Sequence, residues 1–121
     1  MIWALTGLAG GTGAVTRFLA DRWLTSRIRL SWPFATLIIN VSGSFMLGLL
    51  TGWCASRSGF DAWATVLGTG LLGGYTTFSA ASVETMRLLR DRRALAACVH
   101  ASVMLASSFA AASLGWAMTM S

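Results

Sequence analysis

A chain of 121 residues has room for one domain and little else. Hydrophobic residues make up 55% of it and charged residues 11%, against about 25% charged in a typical soluble domain. It therefore lacks the polar groups with which a short soluble protein covers its surface, and lipid is the expected solvent. The net charge is +5 and the pI near 11.1, values that first suggest a nucleic-acid binder. All nine cations are arginines, however, and eight of them (Arg22, Arg27, Arg29, Arg57, Arg87, Arg90, Arg92 and Arg93) fall in or beside the gaps between apolar stretches. Only Arg17 sits within one. That is the distribution of membrane-flanking loops, so no nucleic-acid partner is expected.

Four apolar stretches follow one another, at about 2–20, 32–55, 62–86 and 94–118, within a single transmembrane domain spanning 1–121. Each is near the 20 or so residues a helix needs to cross about 30 Å of hydrocarbon. The predicted class is thus an all-α membrane protein of four transmembrane helices, neighbours antiparallel. The N-terminus lacks the basic segment of a secretory signal.

The first stretch contains Gly7 and Gly11, small residues four apart that favour close packing in lipid, as do Gly48 with Gly52 and Gly70 with Gly74. The second opens on Trp32-Pro33 and closes near Trp53, tryptophans suited to the membrane interface and a proline suited to a first helical turn. Within it Thr36, Asn40 and Ser44 recur every four residues on one face. Asn40 is costly in hydrocarbon and must face protein or a water-filled path; the spacing leaves pore lining and interhelical hydrogen bonding equally open.

The third stretch carries a defect. Gly68, Gly70, Gly73 and Gly74 precede Tyr75-Thr76-Thr77-Phe78-Ser79 in mid-span, and glycines followed by β-branched threonines make a poor helix interior. A break there frees backbone groups, which a membrane tolerates only inside protein, beside a water-filled cavity or against a bound ion. The fourth stretch has Ser102, Ser107, Ser108 and Ser113 as a weak polar track, since serine can also bond its own helix.

Loops 1–2 and 3–4 share seven arginines and the opposite side has only Arg57, which predicts both termini outside the cytoplasm. Catalysis is poorly supported. Gly11-Thr-Gly13 lacks the last glycine of a dinucleotide turn, no lysine exists for a P-loop, and His100 is the sole histidine. His100 reads as a helix–helix hydrogen-bonding residue, and Cys54 and Cys98 read as small apolar helix residues. No Asp or Glu lies in the first three-quarters of any stretch. Glu84, three residues before Arg87, is expected to form a helix-end pair with it.

The run Gly73-Gly74-Tyr75-Thr76-Thr77-Phe78-Ser79, followed by Glu84, closely resembles the signature of the Fluc fluoride channels (CrcB-type proteins). Asn40-Val-Ser-Gly43-Ser-Phe-Met-Leu-Gly48 is similar to that family's second-helix motif, and Gly13-Ala-Val-Thr-Arg17 to its first. The likeness covers nearly the whole chain in order. It implies a multi-pass channel of the bacterial plasma (inner) membrane that exports fluoride passively, built as an antiparallel, dual-topology dimer. It also implies a structural sodium ion at the dimer interface, held by backbone carbonyls of Gly73 and Thr76. By the same resemblance the fluoride pore maps to Asn40, Phe78, Thr36, Thr77, Ser79 and Ser108, with Arg17 at a vestibule.

Donor hydroxyls, the Asn40 amide and the positive edge of the Phe78 ring suit a small, strongly hydrated anion. Two features depart from the family pattern. Ala81 stands where a second phenylalanine is usual, and Ala80 where a threonine is usual. The one-sided arginines are also odd for a subunit that inserts both ways. A homodimer is the expected assembly, with a heterodimer between this chain and an inverted homologue as the alternative. A small multidrug or guanidinium exporter is the alternative function, although the first stretch lacks the carboxylate such a protein uses.

Overall fold

A computed structural model describes residues 1–30 and 32–120; Ser31 and Ser121, at the edges of expected elements of the 1–121 domain, lie outside the described residues. The described residues form four helical runs and no strand. Helix α1 spans Ile2–Arg27 and α2 spans Phe34–Ala55. The third run starts as α3, Asp61–Ala64, widens into a π-helix at Thr65–Leu72, and ends its first half as α4, Gly73–Tyr75. Helix α5, Phe78–Arg90, completes it, and α6 spans Ala94–Met120. By length and composition α2 and α6 are able to cross a membrane.

Several boundaries differ from the expected ones. Helix α1 runs to Arg27 where 20 was expected, because Asp21, Arg22 and Arg27 end the oily stretch without opposing helix formation; hydropathy marks the edge of hydrocarbon, not of the helix. The third run extends from Asp61 to Arg90 for the same reason. Helix α2 begins one residue after Pro33, which serves as its N-cap.

Between α4 and α5 the backbone is extended at Thr76 (φ −75°, ψ 158°) and Thr77 (φ −147°, ψ 115°). Thr76 still serves the preceding turn, its N–H and hydroxyl both donating to the Leu72 carbonyl at 2.9 Å. Thr77 serves the following one: its hydroxyl accepts the Ala80 N–H at 3.1 Å, the N-cap arrangement that satisfies an orphan donor of a new helix. Two adjacent threonines thus close one helical segment and open the next.

The runs associate as two parallel pairs, each built around glycine. A methyl added at Gly13 would meet the Leu71 carbonyl, and one at Gly74 the Gly10 carbonyl, so α1 lies backbone against backbone on the π-helix and α4. In the second pair Gly48 abuts the Ala112 carbonyl and Gly115 the Phe45 carbonyl, joining α2 to α6. Lipid gives helices no hydrophobic reason to associate, so this closeness of approach supplies the dispersion contacts that hold them. The expected pairs Gly48/Gly52 and Gly70/Gly74 lie in these seams. Gly7 and Gly11 do not: an added methyl at either meets nothing within 4 Å, and Gly10 with Gly13 form the packing face of α1.

At one end of the bundle Asp21, Trp32, Glu84, Arg87, Asp91 and Arg93 gather around a cavity of about 450 Å³. At the other, Trp53 packs edge-on against Phe60 with ring centroids 4.7 Å apart, and the Arg57 guanidinium lies 4.8 Å from the Trp53 ring centre.

Candidate functional site

Asn40 sits in mid-α2, 7% exposed, opposite the extended pair. Its Oδ1 accepts the Thr77 N–H at 2.8 Å and its Nδ2 donates to the Thr77 carbonyl at 2.9 Å. One side-chain amide therefore satisfies both backbone groups of a residue that has left the helix. The second hydrogen of Nδ2 points to the Met104 sulfur at 3.4 Å, a weak acceptor. Nearby, Gly43 lets α2 approach the same backbone, since a methyl there would strike the Thr76 methyl and the Tyr75 ring. The Tyr75 hydroxyl in turn lies 3.1 Å from Ser42 Oγ.

Beside this clamp is a cavity of about 510 Å³ lined by Asn40, Ser44, Thr76, Thr77, Phe78 and Ser108 among others. Its lining includes no Asp or Glu. Phe78 lines it yet is 88% exposed, so this chain does not close the cavity on that side. Ala81, where the resemblance leads one to expect a ring, is buried at the wall.

The sequence-predicted residues thus divide. Asn40, Thr77, Phe78, Ser108 and Thr76 come together at the cavity. Ser79 is exposed and its hydroxyl lies 3.1 Å from the Thr77 hydroxyl. Gly73 is exposed at the start of α4. Arg17 lines neither cavity; its Nε donates to the Gly74 carbonyl at 3.4 Å, tying α1 to α4. Of the serine track on α6, Ser108 alone lines the cavity. Ser107 bonds the Val103 carbonyl of its own helix, and Ser102 and Ser113 are exposed.

Thr36 departs furthest from expectation. It is 3% exposed and donates its hydroxyl to Glu84 Oε1 at 2.8 Å, one turn from Asn40 and away from the 510 Å³ cavity. Glu84 accordingly does not form the expected pair with Arg87; among the described residues its ionic neighbour is His100, with Nε2 3.7 Å from Glu84 Oε2. His100 is 1% exposed, with the Trp32 ring edge-on at 5.6 Å between centroids.

Met104 and the Glu84–His100 contact were missed by sequence reasoning. The signal present was the four-residue spacing of His100, Met104 and Ser108, which puts them on one face of α6. Nothing in the sequence said that this face meets Asn40 and Glu84.

Comparison with known proteins sets these residues in a lineage. Residues 4–116 match the family model described as CrcB-like protein, Camphor Resistance (CrcB). The chain is 45% identical over 108 residues to a protein of Leifsonia xyli subsp. xyli named fluoride-specific ion channel FluC 1, covering 89% of this chain and 79% of that one. It is 38% identical to the FluC 2 of Moorella thermoacetica, covering 96% and 94%, and 44% identical to the FluC 2 of Rhodococcus jostii, covering 95% and 96%. Matched along nearly its whole length, with its polar clamp and glycine seams inside the matched span, the chain is a member of the CrcB-like family of membrane proteins.

Proposed function

We propose that this chain is the subunit of a fluoride-selective channel that lets fluoride leave the cell passively, lowering its cytoplasmic concentration. The observation that carries the reading is the 38–45% identity, over most of both chains, to proteins named fluoride-specific ion channels. The same names count against both an enzyme and the multidrug exporter. So does the cavity beside Asn40, whose lining has no carboxylate for proton-coupled exchange.

The site's chemistry supports an anion. Fluoride must exchange its water for donors at short spacing, and selection against chloride then rests on width and on donor placement. The Asn40 amide is one donor. Its N–H toward Met104 is held only by a thioether, so an anion can take that hydrogen while the other hydrogen stays on the Thr77 carbonyl. The hydroxyls of Ser108, Thr77 and Ser79 and the positive edge of the Phe78 ring are the further candidates. In this reading Thr36 acts through Glu84 at one end of the path, and Arg17 braces α4 from α1.

The finer architecture belongs to the same proposal. The extended Thr76–Thr77 pair is the break of a membrane-spanning third helix, and two inverted copies meet across it to close the cavity that Phe78 leaves open. A sodium ion suits that interface. Extended backbone at Thr76 takes its carbonyl out of the helical ladder, Gly73 has no side chain to shield its own, and carbonyl oxygens are ligands for a hard cation. When bound, the ion supplies a positive charge and joins the two copies. Residence in the bacterial inner membrane and a homodimer complete the reading; a heterodimer with an inverted homologue, in which this chain keeps its termini outside the cytoplasm, is favoured by the one-sided arginines together with Ala80 and Ala81.

The test is efflux from liposomes loaded with potassium fluoride, carrying the purified chain, with valinomycin and a fluoride electrode. Rapid fluoride release with chloride retained in a parallel run is expected. No release from well-folded dimer would refute a self-sufficient homodimeric channel.

A further inference from the structure

The second buried polar cluster has an unfinished hydrogen bond. Glu84 Oε2 and His100 Nε2 are both buried, face each other at 3.7 Å, and have no hydrogen-bond partner. The Ala81 backbone lies near the His100 ring. Inside α5 the Ala81 N–H belongs to the helical ladder, so what Ala81 offers is its carbonyl. A neutral imidazole has a single N–H. Spent on that carbonyl, it leaves Nε2 as a lone pair aimed at a carboxylate oxygen. Two acceptors then confront each other in a buried setting, and the gap between them lacks one proton.

We propose that Glu84 and His100 form a proton-binding site that sets the charge at one end of the ion path. Uptake of one proton from water in the charged cavity forms an N–H bond at His100 Nε2, which then donates to Glu84 Oε2. It changes the net charge of the pair from −1 to zero. The position makes this consequential: Glu84 lines the charged cavity and holds Thr36, Thr36 lies one turn from Asn40, and His100 lies one turn from Met104. The pair stands between the charged cavity and the Asn40 cluster, and a negative charge there opposes an anion moving from one toward the other.

The ionisable groups facing the pair come from every neighbouring element. Asp21 on α1 and Arg87 on α5 act on Glu84 electrostatically, and Asp91 and Arg93 share the cavity wall. Helix α2 contributes no charge, only the Thr36 hydroxyl and the Trp32 ring that precedes the helix. Arg87, Asp91 and Arg93 are exposed and screened by water, whereas the facing atoms Glu84 Oε2 and His100 Nε2 are buried.

His100 is the only histidine, so selective ¹⁵N labelling of histidine reports on one ring. The chain, purified without a polyhistidine tag, is placed in bilayers and its ring-nitrogen shifts are followed from pH 5 to 8. Fluoride efflux is measured over the same range, with release from protein-free vesicles subtracted. The expected result is a ring that gains its second proton as the pH falls. Efflux at pH 5.5 should exceed that at pH 7.5 by about threefold or more. Glu84→Gln should flatten both profiles, because the new amide can donate to Nε2 without an added proton.

A ring that keeps one neutral tautomer throughout overturns the proposal. So does a ring that titrates while efflux, clearly present, stays independent of pH. The efflux arm rests on the fluoride reading. Absence of efflux at every pH counts against that reading alone, and the wild-type ring titration then decides the proton site by itself.

Discussion

Two buried polar clusters sit one helical turn apart on the same three helices, and they are built on opposite terms. Around Asn40 each backbone group of Thr77 has a partner at 2.8 or 2.9 Å, and the amide is used in full apart from a hydrogen held by sulfur. Around Glu84 one carboxylate oxygen is satisfied by Thr36, while the other faces a histidine nitrogen with nothing between them. The first cluster fixes a shape: it stabilises extended backbone where a helix would otherwise run. The second leaves a charge unresolved. Buried polar groups left unpaired are costly, so the contrast marks where the molecule is rigid and where its charge can change.

The largest expected effect comes from breaking the satisfied cluster. Asn40→Leu keeps the volume but strands the Thr77 N–H and carbonyl, at about 1–3 kcal/mol for each unsatisfied group. Fluoride efflux should fall by at least about tenfold, with lower thermal stability in detergent by size-exclusion chromatography. Wild-type efflux and stability would show that the clamp does not shape the path.

Next is the packing that brings α1 to the same backbone. Gly13→Ala drives a methyl into the Leu71 carbonyl and should destabilise the fold by about 1–3 kcal/mol. Gly11→Ala, where the added methyl meets nothing within 4 Å, should be neutral or gain up to about 1 kcal/mol from helix propensity. Equal unfolding midpoints for the two variants would remove the glycine seam from the account.

Smallest is Met104→Ala, which withdraws the sulfur from the Asn40 amide and widens the cavity. A weak acceptor is lost, so a rise in efflux of about two- to threefold is expected, with selectivity over chloride reduced by the added width. Slower efflux would mean that the thioether shapes the path and does not merely occupy it.

Much of this organisation is visible in the residues themselves. Four oily stretches, arginines confined to their margins, and glycines followed by paired threonines are local signals whose physics does not depend on what lies opposite. Contacts between elements are another matter. Spacing put Thr36 and Asn40 on one face of α2, but one meets the Glu84 carboxylate and the other the Thr77 backbone. Gly7/Gly11 and Gly10/Gly13 are similar patterns on α1, and only docking decides which is a seam. Glu84 had Arg87 as a local partner and turned to His100, sixteen positions on, because α5 and α6 pack together there.

The central claim is that fluoride passes through the cavity beside Asn40, and a blocking measurement at Ser108 tests it most directly. In a Cys54→Ala/Cys98→Ala background, Ser108→Cys is compared with Ser102→Cys, which lies on the exposed face of α6. A small charged thiol reagent should slow efflux at least about tenfold through the first and leave the second unchanged. Equal efflux through both after treatment, or a thiol at 108 that water-borne reagent never reaches, would contradict the account.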